Sequence, residues 1–215
     1  MTTIWITGGK GFIGRHLARL VAGYGNQVYG IGHGSWSSEE AGKWGYTNWC
    51  VGEIDADNLG RMVKVSGVPD IVYHLAGGAS VGASFLDPRD DFCRSVESTS
   101  RLLEWLRFNA PNAQIVCASS AAVYGAAHAG PILDDVAIAP YSPYGTHKAM
   151  MESLCHSYAE NFGLRIAIVR LFSVYGAGLE KQLIWDLCGK LALAGGRPVL
   201  LGGTGGELRD WLHIS

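Results

Sequence analysis

Tyr144 and Lys148 stand four residues apart in Ser142-Pro143-Tyr144-Gly145-Thr146-His147-Lys148, inside a helical pattern over Pro143–Phe162, so both side chains share one face. An ammonium near a phenol favours the phenolate and lowers its pKa toward working pH, which is what a general base needs. Taken alone, the same spacing also describes a core tyrosine beside a solvated lysine. Upstream, the strand-like run Gln114–Ala118 ends in Ser119-Ser120, two hydroxyls at a carboxyl strand edge. Near the start, Thr7-Gly8-Gly9-Lys10-Gly11-Phe12-Ile13-Gly14 follows the apolar run Ile4-Trp5-Ile6 and precedes a helix-like stretch. Glycines spaced this way bring bare backbone N–H groups, at the positive end of a helix, against a dinucleotide pyrophosphate. Gly8 would make the tight turn, Gly11 the close approach to phosphate and Gly14 the contact of helix with strand. Lys10 is followed by Gly11 and not by Ser or Thr, so the loop is not that of an ATPase.

The elements that must position these groups alternate along the chain. Strands are expected at Thr3–Thr7, Gln27–Ile31, Thr47–Val51, Asp70–Leu75, Gln114–Ala118 and Arg165–Leu171. Helices are expected near Phe12–Tyr24, Asp57–Val65, Pro88–Phe108, Pro143–Phe162 and Gln182–Ala194. Near-continuous apolar strands separated by helices describe an α/β fold, a Rossmann-type doubly wound parallel sheet covered on both faces. His33–Tyr46 reads as a long loop rich in Gly, Ser and Trp, and as a binding segment.

Composition sets the bounds. A chain of 215 residues, 48% hydrophobic, can bury a substantial core as one domain. The formal charge of −2 and dispersed basic residues give no surface for nucleic acid or an anionic membrane. No leader and no bilayer-spanning stretch is expected, which points to the cytoplasm. Cys50, Cys93, Cys117, Cys155 and Cys188 are odd in number and form no C-x-x-C, so they read as buried free thiols. The histidines do not fall at metal-ligand spacing, and no metal is expected.

With these stretches in view, the chain resembles the extended short-chain dehydrogenase/reductase family, in particular its nucleotide-sugar epimerase and dehydratase branch. The resemblance is carried by Thr7–Gly14, Tyr73–Gly77, Ser119–Gly125, Ser142–Lys148, Arg170–Gly176 and Arg209-Asp210-Trp211. It implies NAD(P) as cofactor and a nucleotide-diphosphate sugar as substrate, with hydride transfer at a ring carbon, C4 above others, in a 4-epimerase or a 4-keto reductase. It implies catalytic roles for Ser120, which would position the reacting oxygen, Tyr144, the acid/base, and Lys148, which would hold the nicotinamide ribose. Gly8, Gly11, Phe12, Ile13, Gly14, Gly32, His33, Glu53, Ile54, Leu75, Ala76 and Gly77 would join Tyr144 and Lys148 around the cofactor. Ser80, Ser119, Ser173, Lys181 and Arg209 fall on the substrate side, with the fork of Arg209 suited to a diphosphate.

Departures from the family pattern matter as much. Gly32 stands where many members carry an acid that accepts from the ribose 2′-OH of NAD, and His33, Ser35, Ser37 and Lys43 follow it, so the reading leans to NADP. Ala121-Ala122 replaces the acidic pair of the sugar dehydratases, which disfavours dehydration. Ser95 and Ser173 replace asparagines. Residues 1–175 are expected to form the cofactor domain with the catalytic residues, and 176–215 the start of a substrate-binding region. The sugar-binding domain would then be largely missing, in a truncated or a naturally short chain. A homodimer is compatible with this reading. The rival from another class is a non-catalytic Rossmann module that senses a dinucleotide, which would have no need of Ser120, Tyr144 and Lys148 together.

Overall fold

The structure, a computed structural model, describes residues 1–215 except positions 129, 134, 135, 204, 205 and 207. It divides into two compact units, Met1–Leu171 and Phe172–Ser215. In the first, β1 (Thr3–Thr7), β2 (Gln27–Gly32), β3 (Asn48–Val51), β4 (Ile71–His74), β5 (Gln114–Ser120) and β6 (Arg165–Leu171) form one sheet in the order β3-β2-β1-β4-β5-β6. Every neighbouring pair is parallel. Parallel neighbours need crossovers. Helices supply them: α1 (Phe12–Gly23), α2 (Ser38–Lys43), α3 (Ala56–Ser66), α4 (Val81–Leu86), α5 (Pro88–Phe92), α6 (Ser98–Asn109) and α7 (Pro143–Phe162). The chain runs outward from β1 to β3, then returns to β4 on the other flank of β1. The crevice beyond the carboxyl ends of β1 and β4 is therefore the topological switch point, where ligands of such sheets bind.

Alternation along each strand divides the core between two faces. Trp5, Ile31, Val72, Ile115 and Cys117 pack with Leu59 and Met62 of α3, Leu102, Leu103 and Leu106 of α6 and Met151 of α7. Ile4, Ile6 and Val28 face the other way, onto Ala18 and Val21 of α1, Ala41 of α2 and Tyr46.

Four expectations are corrected. The stretch read as the loop His33–Tyr46 contains α2, started by a capping box in which the Ser37 hydroxyl accepts from Glu40 N and the Glu40 carboxylate accepts from Ser37 N. The helix expected over Pro88–Phe108 is broken by a π turn at Cys93–Glu97 between α5 and α6, and α4 precedes it unannounced. Strand β5 runs two residues further than expected, so Ser119 and Ser120 pair with Arg170 and Leu171 inside the sheet. Of the five thiols only Cys117 and Cys155 are buried; Cys50 and Cys93 are half-buried and Cys188 is exposed.

The second unit holds β7 (Ser173–Tyr175), α8 (Gln182–Ala194) and β8 (Trp211–His213), with β7 and β8 paired in parallel. Tyr175 packs edge-on against Trp211 and His213. Among the described residues no helix is long and apolar enough to cross a membrane.

Candidate active site

The glycine loop is built by contact. Gly8 has φ +66°, and a Cβ there would lie 2.7 Å from Ala76 N. Its own N–H donates to Ile31 O, and Gly11 N donates to Gly8 O, which closes the turn. A Cβ at Gly14 would lie 2.7 Å from the Gly9 backbone, so α1 is pressed onto the loop itself and not, as expected, onto the strand. Gly11 caps α1 without a side chain, whereas Ser37, Asp55, Ser80, Asp87 and Ser142 cap α2, α3, α4, α5 and α7 with an oxygen. The first-turn N–H groups of α1, flanked by half-buried Phe12 and Ile13, are left for an anion. The Tyr46 hydroxyl lies 2.9 Å from Gly9 O and 3.1 Å from Gly14 O and fastens the loop. Burial pushes this phenol far up, so it remains a donor.

Toward the ends of β2 and β3, a Cβ at Gly32 would lie 3.2 Å from the Trp49 ring. Trp49 Nε1 donates to Gly34 O and Lys10 Nζ to Ser35 O, so the loop after Gly32 is tied at both sides. His33 is exposed, with Nε2 3.5 Å from Glu53 Oε1. The Ile54 side chain sits in the core. Across the switch point, Ala76 N donates to Thr7 Oγ1, Gly78 N donates to Ser95 Oγ, and a Cβ at Gly77 would lie 3.1 Å from Lys148 Nζ. The cradles at Gly8 and Gly77, with an uncapped helix start between them, fit a nicotinamide dinucleotide.

The groups expected to do chemistry meet at the end of β5. Ser142 caps α7 by accepting from Gly145 N, and Tyr144 N donates to Ser84 Oγ of α4. These contacts place Tyr144 near Ser120, whose hydroxyl favours the ionised phenol. Burial raises the Tyr144 phenol above its ordinary value; the Ser120 hydroxyl opposes this and the Asp91 carboxylate adds to it. Lys148, 4% exposed, donates to Ala118 O at 2.9 Å, and its Nζ stands 5.9 Å from the centre of the Tyr144 ring. The expectation that Lys148 pulls the phenol down is therefore corrected. A buried ammonium needs acceptors, and here it turns to a strand carbonyl, while its own pKa is lowered by burial.

Ser119, placed on the substrate side from sequence, is turned the other way. It is 3% exposed and donates to Glu152 Oε1 at 2.5 Å, because adjacent strand residues face opposite sides. Glu152 also accepts two bonds from Arg170, at 3.0 and 2.7 Å. Burial works to raise the Glu152 carboxyl, but Arg170 and Ser119 outweigh it and hold it below its ordinary range. This network locks α7 to β5 and β6 behind the reacting groups. Ser80 is occupied as the cap of α4. In the second unit Ser173 opens β7, Lys181 precedes α8 and Arg209, exposed, precedes β8.

The structure adds residues that sequence reasoning missed. Thr99 Oγ1 donates to Ser95 O, so its oxygen accepts from His74 Nε2–H at 2.9 Å. His74 Nδ1 then accepts from Thr7 Oγ1 at 2.7 Å, and Thr7 accepts from Ala76 N. This fully buried line fixes one tautomer and joins β1, β4 and α6 beneath the cofactor loops. His147 Nδ1 lies 2.6 Å from Asp91 Oδ2, beside Tyr144 and Lys148. Neither pairing carries a local motif.

With this geometry established, comparison with known proteins is direct. The family model for the NAD dependent epimerase/dehydratase family matches residues 4–215. The chain is 32% identical over 230 residues to a UDP-glucose 4-epimerase of Azospirillum brasilense, covering 99% of this chain and 65% of that one. It is 32% identical over 147 residues to an uncharacterised UDP-glucose epimerase of Bacillus subtilis, covering 68% of this chain and 46% of the other. Among solved structures, a UDP-glucuronic acid 4-epimerase of Bacillus cereus in complex with UDP-glucuronic acid and NAD superposes with TM-score 0.85 at 28% identity, over 99% of this chain and 69% of that chain. A UDP-N-acetylglucosamine 4-epimerase of Methanobrevibacter ruminantium in complex with UDP-N-acetylmuramic acid gives TM-score 0.82 at 27% identity, with the same coverage. The chain thus spans about half to two thirds of the length of these curated relatives. A matching model over nearly every residue, on a sheet of this order with these loops, settles the grouping: the chain belongs to the NAD-dependent epimerase/dehydratase family.

Proposed function

We propose that this chain carries the cofactor-binding and catalytic part of a UDP-sugar 4-epimerase that works with NAD. The observation that carries the reading is Lys148 wedged between Ala118 O and Gly77 at the switch point, with Tyr144 on the same helix and Ser120 at the end of β5 beside it. Residues 1–175 would supply these groups and Ser173, and 176–215 would begin the substrate-binding region with Lys181 and Arg209.

When bound, the nicotinamide supplies an acceptor for the electron pair of the C4–H bond. Tyr144 takes the proton of the C4 hydroxyl as that carbon becomes a ketone, and returns it after the sugar has presented its other face. Ser120 donates to the same oxygen in both directions, which is where charge develops. Lys148, held beside Gly77, is placed for the ribose hydroxyls next to the nicotinamide. A 4-keto reductase would use the same three side chains; the similarity to several 4-epimerases favours the epimerase.

The cofactor choice follows from the ends of β2 and β3. Gly32 lacks the carboxylate that accepts from a ribose hydroxyl, and this alone favours NADP. Glu53, two residues beyond β3, lies 3.5 Å from His33, so a carboxylate stands at the same corner. That charge opposes a 2′-phosphate, and the Bacillus cereus and Brucella ovis epimerase structures carry NAD. The lean to NADP is given up for this reason.

The test is to supply the chain and NAD with UDP-glucose, UDP-glucuronic acid and UDP-N-acetylglucosamine in turn, and identify products by NMR. Conversion of one to its C4 epimer without net NADH is expected. Net oxidation would point to a one-way oxidoreductase, and dinucleotide binding without turnover of any sugar in a protein with a complete substrate-binding region would favour the sensor.

A further inference from the structure

Between the two residues that the proposed reaction needs from α7 lies one that it does not. His147 sits directly before Lys148 and three residues after Tyr144, and its ring is only 12% exposed. Its Nδ1 donates to Asp91 of α5 at 2.6 Å, and that carboxylate is 6% exposed. The Phe92 ring meets the imidazole edge-on at 5.5 Å and fixes its plane. On its far side Asp91 lies against the backbone of the cofactor loop: a Cβ at Gly78 would overlap the Asp91 carboxylate and stand 3.4 Å from Ser95 Oγ. Gly78 is next to Gly77, whose added Cβ would meet Lys148 Nζ at 3.1 Å. The contacts run in a closed ring from His147 to Asp91, to Gly78 and Gly77, to Lys148 and back to His147 along the chain.

We propose that Asp91 and His147 are positioning residues of the active centre, an ion pair that clamps the Gly77–Gly78 segment against α7 and balances the charge beside Tyr144. Buried carboxylates require a partner, and this partner has been placed within a helical turn of the proposed base. The inference rests on the epimerase reading in one respect, that Tyr144 is the proton acceptor.

The charged and titratable groups around this corner are few. Asp91 from α5 acts on both Tyr144 and Lys148, and Cys117 from β5 and Cys155 and Glu152 from α7 act on Lys148. His74 from β4 also feels Lys148. Ser120 from β5, Ser84 from α4 and Ser95 from the π turn contribute hydroxyls. Glu152 is neutralised by Arg170 from β6, and Arg94 of the π turn is bound to Asp90 at the surface. Among the described residues Asp91 is thus the one carboxylate whose charge acts directly on Tyr144, and His147, when protonated, is its counter-charge. Removing either should move the ionisation of Tyr144, in opposite directions.

The experiment uses Asp91→Asn and His147→Gln, both close in shape to the native residues, in the NAD-bound chain. Tyr144 ionisation is read from phenolate absorbance, as the difference between each protein and the same protein carrying Tyr144→Phe. The midpoint should fall in Asp91→Asn and rise in His147→Gln, each by about 0.5–1 pH unit. In turnover with the active UDP-sugar, the limb where activity rises with pH should move the same way. Midpoints that stay in place, or move together, would overturn the proposal, because a purely structural pair lowers amplitude without opposed displacements. If Asp91→Asn does not fold, His147→Gln decides alone, since only an upward displacement is compatible. The phenolate titration needs no substrate, so it separates failure of this inference from failure of the epimerase reading.

Discussion

Tyr144 is kept neutral by burial, against the pull of the nearby Ser120 hydroxyl, while Lys148 faces a carbonyl. The proposed proton transfer then depends on one oxygen. Tyr144→Phe should lower turnover by about 10²–10⁴-fold while leaving NAD affinity unchanged, read by kinetics beside a cofactor titration. A variant at wild-type rate would remove Tyr144 from its role. At the adenosine end, Glu53→Gln should weaken NADH by about tenfold, the scale of one charge-assisted bond, and weaken NADPH less or not at all. An unchanged ratio of the two affinities would place selection elsewhere. Tyr144, Lys148, Ser120 and the glycines were legible because their chemistry depends on spacing along the chain. Tyr46, His74 and the Asp91–His147 pair were not, because each depends on which distant segment folds against it: 32 residues separate Tyr46 from Gly14, and 56 separate Asp91 from His147.

Elements were read well where pattern alone determines them. Strands β1 and β6 and helices α7 and α8 match their expected limits, and the others shift by a residue or two at their ends or, like β5, lengthen. The failures have a physical cause. In the π turn Ser95 accepts from Gly78 N while its carbonyl accepts from Thr99, so tertiary contacts set a winding that periodicity reads as plain helix. Helix α4 has only six residues, Val81–Leu86, too few for a helical period to show. The close seat of α1 supplies the prediction at this scale. Gly14→Ala would force a methyl into the Gly9 backbone, which cannot yield as a flexible side chain would. We expect a loss of about 1–3 kcal/mol in stability by urea denaturation. Dinucleotide affinity should fall more steeply, since the loop that moves is the one that binds. Equal affinity in wild type and variant would show that the loop can retreat without cost.

At the scale of the whole first unit, the buried line from Thr7 through His74 to Thr99 couples the fold to pH. His74 has its pKa pushed down to about 3, by burial first and the Lys148 charge second. The folded value lies below that of the unfolded chain, about 6.5. Between these values the unfolded chain binds the proton and the folded one does not, so stability is complete above about 6.5 and declines toward 3, at about 1.4 kcal/mol per pH unit. His74→Asn should be less stable at neutral pH yet lose stability less steeply on acidification, measured as urea midpoints across that window. Parallel slopes for the two proteins would mean that other groups govern the decline. The doubly wound sheet itself was legible from alternation of strand and helix. The coupling of its two flanks through one histidine was not, because a single buried polar side chain leaves no periodic trace.

The bare start of α1 has one further consequence. The first turn of this helix has no side-chain oxygen to hold its amides, unlike α2, α3, α4, α5 and α7. A pyrophosphate would serve as its missing cap, so ligand binding and local folding become a single equilibrium. Hydrogen exchange should show it: the amides of Phe12, Ile13 and Gly14 should exchange rapidly in the free chain and slow sharply with NAD, far more than those of the capped helices. The dinucleotide would then act as the last piece of secondary structure in the molecule.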